Sequence, residues 1–355
     1  MKHCHINNKK DPHLQDGGSF LFPGEVAAYE GAAKGISEIA SHEGKAEDIV
    51  IAGDRFILNE YGAHIRGDGP ARVLEFSGSI NPGEFNRMKN EVKGAKILVS
   101  AGGGKCLDIC KLIKRDMPEI RHIAVPTSAA SCSAYTAVSV MYDKNGIYMK
   151  TIDSLPPDKI IIDYDIFYAL PKVFFAAGAV DAIAKYYEMR ACKKYFPEED
   201  DACSEAAFAS AEKIKDAVLE IFLKGAEIGD EEKRKLADIN IILSGIVSAL
   251  GRFTPTSFIA HHLAHSFSVS ENARNFLHGE LVGMGLLAQE KYMNDGAVYD
   301  EVEELLKAAD MPSVPDAGPG QMDRVFRKFD EICRKENLGI PMEKELMYNI
   351  LKSKY

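Results

Sequence analysis

Four of the chain's ten histidines, His261, His262, His265 and His278, fall between residues 261 and 278. His261 and His265 are spaced i, i+4, on one face of a helical pattern, and His278-Gly279-Glu280 opens the next one. Far upstream, Asp181 is set in the apolar tract Ala177-Gly178-Ala179-Val180-Asp181-Ala182-Ile183-Ala184-Lys185. A carboxylate buried there without a partner is costly, so it needs a cation or strong hydrogen bonds. One aspartate and two histidines, with coordination positions left open, suit a catalytic Zn2+ or Fe2+. A salt bridge at Asp181 and satisfied core imidazoles are the ordinary alternatives.

Three other segments could bind a ligand. In Ser100-Ala101-Gly102-Gly103-Gly104-Lys105-Cys106-Leu107-Asp108 a β-like run ends, glycines follow and a helical pattern starts. Glycines admit a close backbone approach, and the N–H groups at a helix start favour an anion such as a pyrophosphate. The segment is neither G-x-G-x-x-G nor a Walker loop, and a tight structural turn accounts for it equally. Asp54 follows the β-like run ending at Gly53, where an acidic residue can take ribose hydroxyls and disfavour a 2′-phosphate. The third segment runs from Val125 to Thr136 and is rich in small hydroxyl residues, with Cys132 among them.

The elements that must position these residues divide the chain. Asp48–Gly53, Ala71–Phe76, Lys96–Ala101, His122–Pro126 and Ile160–Asp163 read as strands, with helices such as 23–42 and 105–115 between them. That alternation predicts a parallel sheet covered on both faces. Beyond about Phe167 the strand signal stops, and 171–192, 201–223, 231–250, 257–268, 279–293 and 300–309 read as helices, with Asp201 and Asp230 as N-caps. Pro312, Pro315, Gly318 and Pro319 mark a loop before the last helical segments. The expected division is an α/β dinucleotide-binding domain over 1–165, whose first eighteen residues are loosely ordered, and an all-α domain over 166–355. A cleft between two such domains is a usual place for a small-molecule site.

Composition narrows the function classes. A chain of 355 residues, 46% apolar and 27% charged, has material for two cores. A net charge of −10 argues against nucleic acid or a membrane surface as partner. The apolar stretch from Ile160 to Ala184 is broken by Asp163, Asp165, Lys172 and Asp181, so it is no membrane span. Seven cysteines, an odd number without a C-x-x-C pair, and a start lacking an apolar signal core lead us to expect a cytoplasmic protein with buried thiols. His3, His5 and His13 near the start are read as part of a flexible tail.

Taken in order, Gly102-Gly103-Gly104-Lys105-x-x-Asp108, Pro126-Thr127, Ala177-Gly178-x-x-Asp181 and His278-Gly279-Glu280 resemble the family of metal-dependent dehydrogenases that contains glycerol dehydrogenase and the iron-containing alcohol dehydrogenases. Dehydroquinate synthase and sn-glycerol-1-phosphate dehydrogenase share that family's fold. The resemblance runs from Gly24 to about Gln289, and Ser139-Val140-Met141-Tyr142 before the turn Asp143-Lys144-Asn145-Gly146 favours the glycerol dehydrogenase branch. It implies a dehydroquinate synthase-like fold and an NAD-dependent, metal-dependent oxidoreductase that interconverts a small alcohol, a polyol or 2-hydroxy acid, with its carbonyl. It implies that Asp181, His261 and His278 hold Zn2+ or Fe2+, with His262 as the alternative to His261. His265 is a candidate proton relay near the metal, because an imidazole titrates near neutral pH. Gly103, Gly104 and Lys105 would cradle the pyrophosphate, Asp54 would take the ribose, and Asp108, Thr127, Thr136, Val138 and Tyr142 would line the cofactor site.

The chain departs from the glycerol dehydrogenase pattern at Cys132, where those enzymes carry an aspartate that touches the substrate hydroxyls. A thiol neither accepts hydrogen bonds as a carboxylate does nor repels an anion, which leaves room for a 2-oxo acid or another carbonyl compound. Two related readings are an sn-glycerol-1-phosphate dehydrogenase and a sugar-phosphate cyclase of the dehydroquinate synthase kind. The partners expected are a small-molecule substrate and further copies of the chain in a homo-oligomer.

Overall fold

A computed structural model describes residues 20–353, apart from 35, 37–47, 68–70, 197–200, 226, 252–255, 314–318 and 336–342. His3, His5, His13, Pro315 and Gly318, and the loosely ordered start expected above, lie outside the described residues.

Runs of β-branched residues become the strands. In chain order they are β1 (Glu25–Tyr29), β2 (Ile49–Gly53), β3 (Arg72–Glu75), β4 (Ile97–Gly102), β5 (Arg121–Pro126), β6 (Val138–Tyr142), β7 (Tyr148–Asp153) and β8 (Lys159–Asp163). The helices are α1 (Arg55–Arg66), α2 (Pro82–Glu91), α3 (Gly104–Asp116), α4 (Tyr164–Tyr168), α5 (Lys172–Tyr195), α6 (Ala202–Leu223), α7 (Asp230–Ala237), α8 (Ser244–Leu250), α9 (Ile259–Ser266), α10 (His278–Met293), α11 (Gly296–Ala308), α12 (Pro319–Lys335) and α13 (Lys344–Ser353). A π-helical segment, Asp238–Leu243, joins α7 to α8.

The chain forms two units. One comprises residues 21–175 with 229–245 and contains all eight strands. Six of them make a parallel sheet in the order β1-β8-β5-β4-β2-β3. Strands β2 and β4 are buried along their whole length, as continuous apolar runs in a parallel sheet must be when both faces are covered. Separate apolar cores lie on the two faces, one around Ile51, Val99, Ile123 and Ile161, the other around Leu98, Ile109, Ile113 and Ile120. The second unit, 176–228 with 246–355, contains the remaining helices, and its core gathers Phe258, Leu263, Met284, Val325 and Phe329.

The structure corrects three sequence readings. Residues 25–29, placed in a helix over 23–42, form the edge strand β1 and pair in parallel with β8 from Glu25–Lys159 to Tyr29–Asp163. Pairing along a sheet edge outweighs the helical preference of the two alanines here. The segment 231–250 is two helices separated by the π segment, and Gly229, not Asp230, is the N-cap, its N–H donating to Glu232. Strands β6 and β7 are an antiparallel hairpin not read as strands. Its turn is closed by Asp143, whose carboxylate accepts from the N–H groups of Asn145 and Ile147 at 2.8 and 2.9 Å. Asp201 does cap α6, accepting from Ser204 N at 2.9 Å.

Buried polar groups hold the α/β unit in register. Lys111 of α3 is fully buried and donates to the carbonyls of Thr136 and Val138, at 3.0 and 2.5 Å, while pairing with Asp108 at 2.9 Å. His122 of β5 meets Ser100 of β4 at 2.8 Å, and its Nδ1 is buried without a partner. Burial outweighs the pull of Asp158 and depresses the His122 imidazole to about 3. Its folded-state pKa is below its unfolded one, so the unfolded chain binds the extra proton, and this contribution is lost as pH falls from 6.5 toward 3. Denaturant titrations of His122→Gln should therefore show a stability slope between pH 4 and 6 that is shallower than the parent's by about 1.4 kcal/mol per pH unit. Equal slopes would contradict a neutral buried imidazole.

Candidate metal centre and nucleotide cradle

Helix α5 is the backbone of the first site. Asp181, Lys185 and Glu188 follow at i, i+4 and i+7, so one stripe of a buried helix carries two carboxylates and an ammonium. The Oδ1 atom of Asp181 lies 3.1 Å from His261 Nε2 and 3.5 Å from His278 Nε2. Its Oδ2 lies 3.8 Å from Lys185 Nζ. Among the described residues, Asp181, His261 and His278 each offer one ligand atom, and all three atoms lie within 4.8 Å of one another. Two imidazole nitrogens and a carboxylate oxygen, mostly buried, fit a divalent Zn- or Fe-type ion with coordination positions to spare.

Glu188, fully buried, is a residue that sequence reading missed. Its Oε2 accepts from His261 Nδ1, and its Oε1 accepts the backbone N–H groups of Phe258 and His261 at 2.7 and 2.9 Å. One carboxylate thus caps the start of α9 and fixes the tautomer of His261 so that Nε2 faces Asp181. The i+7 spacing from Asp181 in an apolar helix is the signal that would have found it.

The histidines sort by their partners. His262 donates Nδ1–H to the Phe258 carbonyl of its own helix and is outside the ligand cluster, which favours His261 of the two alternatives. His265, also buried, stacks on His278 with ring centroids 5.6 Å apart. Burial opposes protonation of His261, but Glu188 and Asp181 on its two ring nitrogens raise it to about 10. Burial likewise opposes ionisation of Asp181, yet Lys185 and the imidazoles hold it below the ordinary carboxylate range. Burial keeps His265 neutral, helped by the neighbouring histidines, and burial also lowers His278 against the pull of Asp181. The site is therefore built around one positive centre, which a proton on His261 supplies in the absence of a metal.

Glycine brings the parts together. A Cβ on Gly279 would lie 1.8 Å from the carbonyl oxygen of Ala177, so only glycine lets α10 touch α5 and carry His278 up to Asp181. In the same first turn of α10, Glu280 reaches back to accept from Leu277 N at 2.6 Å.

The α/β unit carries the second site. Strand β4 ends at Gly102, Gly103 is the N-cap of α3, and no side chain caps that helix. Its first N–H groups stand behind a glycine turn, an arrangement suited to a phosphate. The loop after β5 closes over this turn. Thr127 N donates to Gly102 O at 3.0 Å, and Ser133 Oγ donates to Asp108 at 2.7 Å. A Cβ on Gly104 would lie 3.2 Å from Ser131 Oγ. Asn240, in the π segment, donates to Ala129 O at 2.8 Å and pins the same loop from the other side.

The remaining sequence candidates fall as follows. Lys105 lies over the Tyr142 ring at 5.5 Å. Asp54 caps α1 by accepting from Ile57 N at 3.0 Å, while its second oxygen faces Gly102. Both oxygens of Asp108 are engaged within the protein, by Ser133 and Lys111 on one side and Val140 N on the other. Thr136 and Val138 offer their carbonyls to Lys111. Cys132 is buried, and its carbonyl accepts from Tyr135 and Thr136.

Residues 23–164 match the family profile of the iron-containing alcohol dehydrogenases. The chain is 31% identical over 198 residues to an uncharacterized oxidoreductase of Synechocystis, an alignment covering 54% of this chain and about half (49%) of that relative's length. It is 29% identical over 282 residues to the glycerol dehydrogenase of Thermotoga maritima, covering 76% of this chain and 75% of that one. A probable glycerol dehydrogenase from Sinorhizobium meliloti has the same fold, with a TM-score of 0.81, 22% identity and coverage of 95% and 98% of the two chains. Among the described residues no helix is long and apolar enough to cross a membrane.

Two variants test this reading of the geometry. Glu188→Gln should weaken Zn2+ affinity by about 10- to 100-fold in a chelator competition, because it removes the charge that orients His261. Unchanged affinity would remove Glu188 from the site. Gly279→Ala should destabilise the fold by about 1–3 kcal/mol by forcing α10 off α5, and should lower bound zinc with it. Parent-like stability would contradict the close contact.

Proposed function

Since the chain is a glycerol dehydrogenase-like relative of the iron-containing alcohol dehydrogenases, we propose that it is an NAD(H)-dependent, metal-dependent oxidoreductase that interconverts a small alcohol and its carbonyl. The observation that carries the reading is the cluster of ligand atoms from Asp181, His261 and His278, drawn from three helices into one mostly buried group. A divalent ion held there would supply Lewis acidity, and a nicotinamide dinucleotide would supply or accept the hydride.

The chain's own residues do the rest. Glu188 keeps His261 Nδ1 protonated, so that its Nε2 would be available to hold the ion. Gly103 and Gly104, with the uncapped N–H groups of α3, would hold the pyrophosphate, and Lys105 would add a positive charge beside it. Asp54 would accept a hydrogen bond from a ribose hydroxyl, which favours NAD over its 2′-phosphorylated form. His265, held neutral beside His278, would take the alcohol proton in oxidation and return it in reduction. Cys132 in the loop over the glycine turn supports a substrate other than glycerol. A cytoplasmic setting suits this use of NAD and thiols.

An NADH-oxidation screen over 2-oxo acids, ketones and aldehydes with Zn2+ or Fe2+ tests the reading. Turnover should appear with a simple carbonyl, vanish on chelation and return with metal. Asp181→Ala should lose bound metal and fall about a thousandfold in kcat/KM, as removal of several kcal/mol of charge stabilisation requires. Full turnover by chelated Asp181→Ala would end the metal role. Turnover confined to a phosphorylated polyol would favour a glycerol-1-phosphate dehydrogenase.

A further inference from the structure

We propose that Glu75 sets the dinucleotide preference of this chain by occupying Arg55, a guanidinium placed to receive a 2′-phosphate, so that the site takes NAD(H) and turns away NADP(H). The inference rests on the NAD reading above and adds the residues that select between the two dinucleotides.

Three strand ends lie level at the carboxyl edge of the sheet. Gly53 of β2 pairs with Ala101 of β4 on one side and with Glu75 of β3 on the other. The glycine turn therefore starts beside one neighbour of Gly53, Asp54 follows the middle strand, and Glu75 ends the other neighbour. Phe76 N donates to Gly53 O at 2.7 Å, which keeps the end of β3 beside that of β2. A nucleotide with its pyrophosphate at Gly103 and Gly104 and its ribose at Asp54 would run along these ends in the direction of β3. A phosphate on the ribose 2′-oxygen would stand beyond Asp54, where Arg55 and Glu75 are.

Arg55 has the chemistry for such a phosphate. It follows Asp54 directly, its side chain is 77% exposed and open to an incoming anion, and its planar fork matches phosphate oxygens. The fork is already taken. Nε lies 3.1 and 3.3 Å from the two Glu75 oxygens, and Nη2 lies 2.9 Å from one of them. An exposed pair of this kind adds little to the stability of the fold. Its consequence is for the ligand, because a 2′-phosphate must compete with a carboxylate for the same N–H groups. Charge points the same way. Asp54 and Glu75 are two negative groups against one guanidinium, and Arg87 nearby is itself engaged by Glu84 at 2.7 Å. A 2′-phosphate adds further negative charge to that end of the sheet, whereas a ribose hydroxyl adds none and can donate to Asp54.

The test is equilibrium binding of NADH and NADPH by calorimetry, which needs no turnover. The parent should bind NADH the more tightly. At low ionic strength Glu75→Gln should narrow that preference about tenfold, the effect of removing one like charge close to the phosphate and freeing the fork. Adding Arg55→Met to Glu75→Gln should take the gain away, and Arg55→Met alone should widen the parent's preference, since it leaves Glu75 unneutralised. A parent that prefers NADPH, a Glu75→Gln preference equal to the parent's, or a gain that survives Arg55→Met overturns the assignment and leaves the oxidoreductase reading standing. If Glu75→Gln does not fold, Arg55→Met alone decides, and a narrower preference in that variant counts against the assignment. Failure of the broader reading would show differently, as a parent that binds neither dinucleotide.

Discussion

A carboxylate in an apolar helix cannot stand alone, and three helices of the second unit are arranged to answer Asp181. Its two oxygens are met by two imidazoles and an ammonium from helices α5, α9 and α10. Each partner needs support in turn. His261 is held by Glu188, α9 is started by the same carboxylate, and α10 reaches α5 only because Gly279 has no side chain. The arrangement asks for a positive charge at its centre. A proton on His261 satisfies it, and a divalent ion would satisfy it with open positions left for a substrate oxygen.

The α/β unit is governed by a different constraint, the need to leave helix N–H groups available without leaving the backbone unsupported. Glycines bring β4 into α3 with no side-chain cap, and the loop after β5 is folded over that turn by Thr127, Ser133 and Asn240. The Asp108–Lys111 pair ties α3 to the hairpin beside it. Much of what looks like ligand-binding chemistry in this segment is in fact bracing. Asp108 has both oxygens engaged, and Thr136 and Val138 contribute carbonyls to a buried lysine.

Sequence patterning made the general fold legible because buried parallel strands and amphipathic helices leave strong periodicities. It failed where tertiary contact decides. Strand β1 lies at a sheet edge, is half exposed and carries alanines, so its pairing with β8 leaves no local mark. The π segment looks like helix in any pattern of apolar residues, yet it is what places Asn240 against the loop. At the candidate metal centre the residue types and the histidine clustering were readable, whereas Glu188 was not singled out because one glutamate in a long helix has many ordinary explanations. The choice between His261 and His262 needed coordinates, since one residue of helical rotation sends the latter to the Phe258 carbonyl.

All of this turns on whether Asp181, His261 and His278 hold a single ion between them. Anomalous diffraction at the zinc edge from crystals soaked in Zn2+ tests it most directly. One strong peak is expected, lying about 2.0–2.2 Å from an Asp181 oxygen and from a nitrogen of each of the two histidines. A zinc peak elsewhere, with Asp181 still bonded directly to His261, would contradict it.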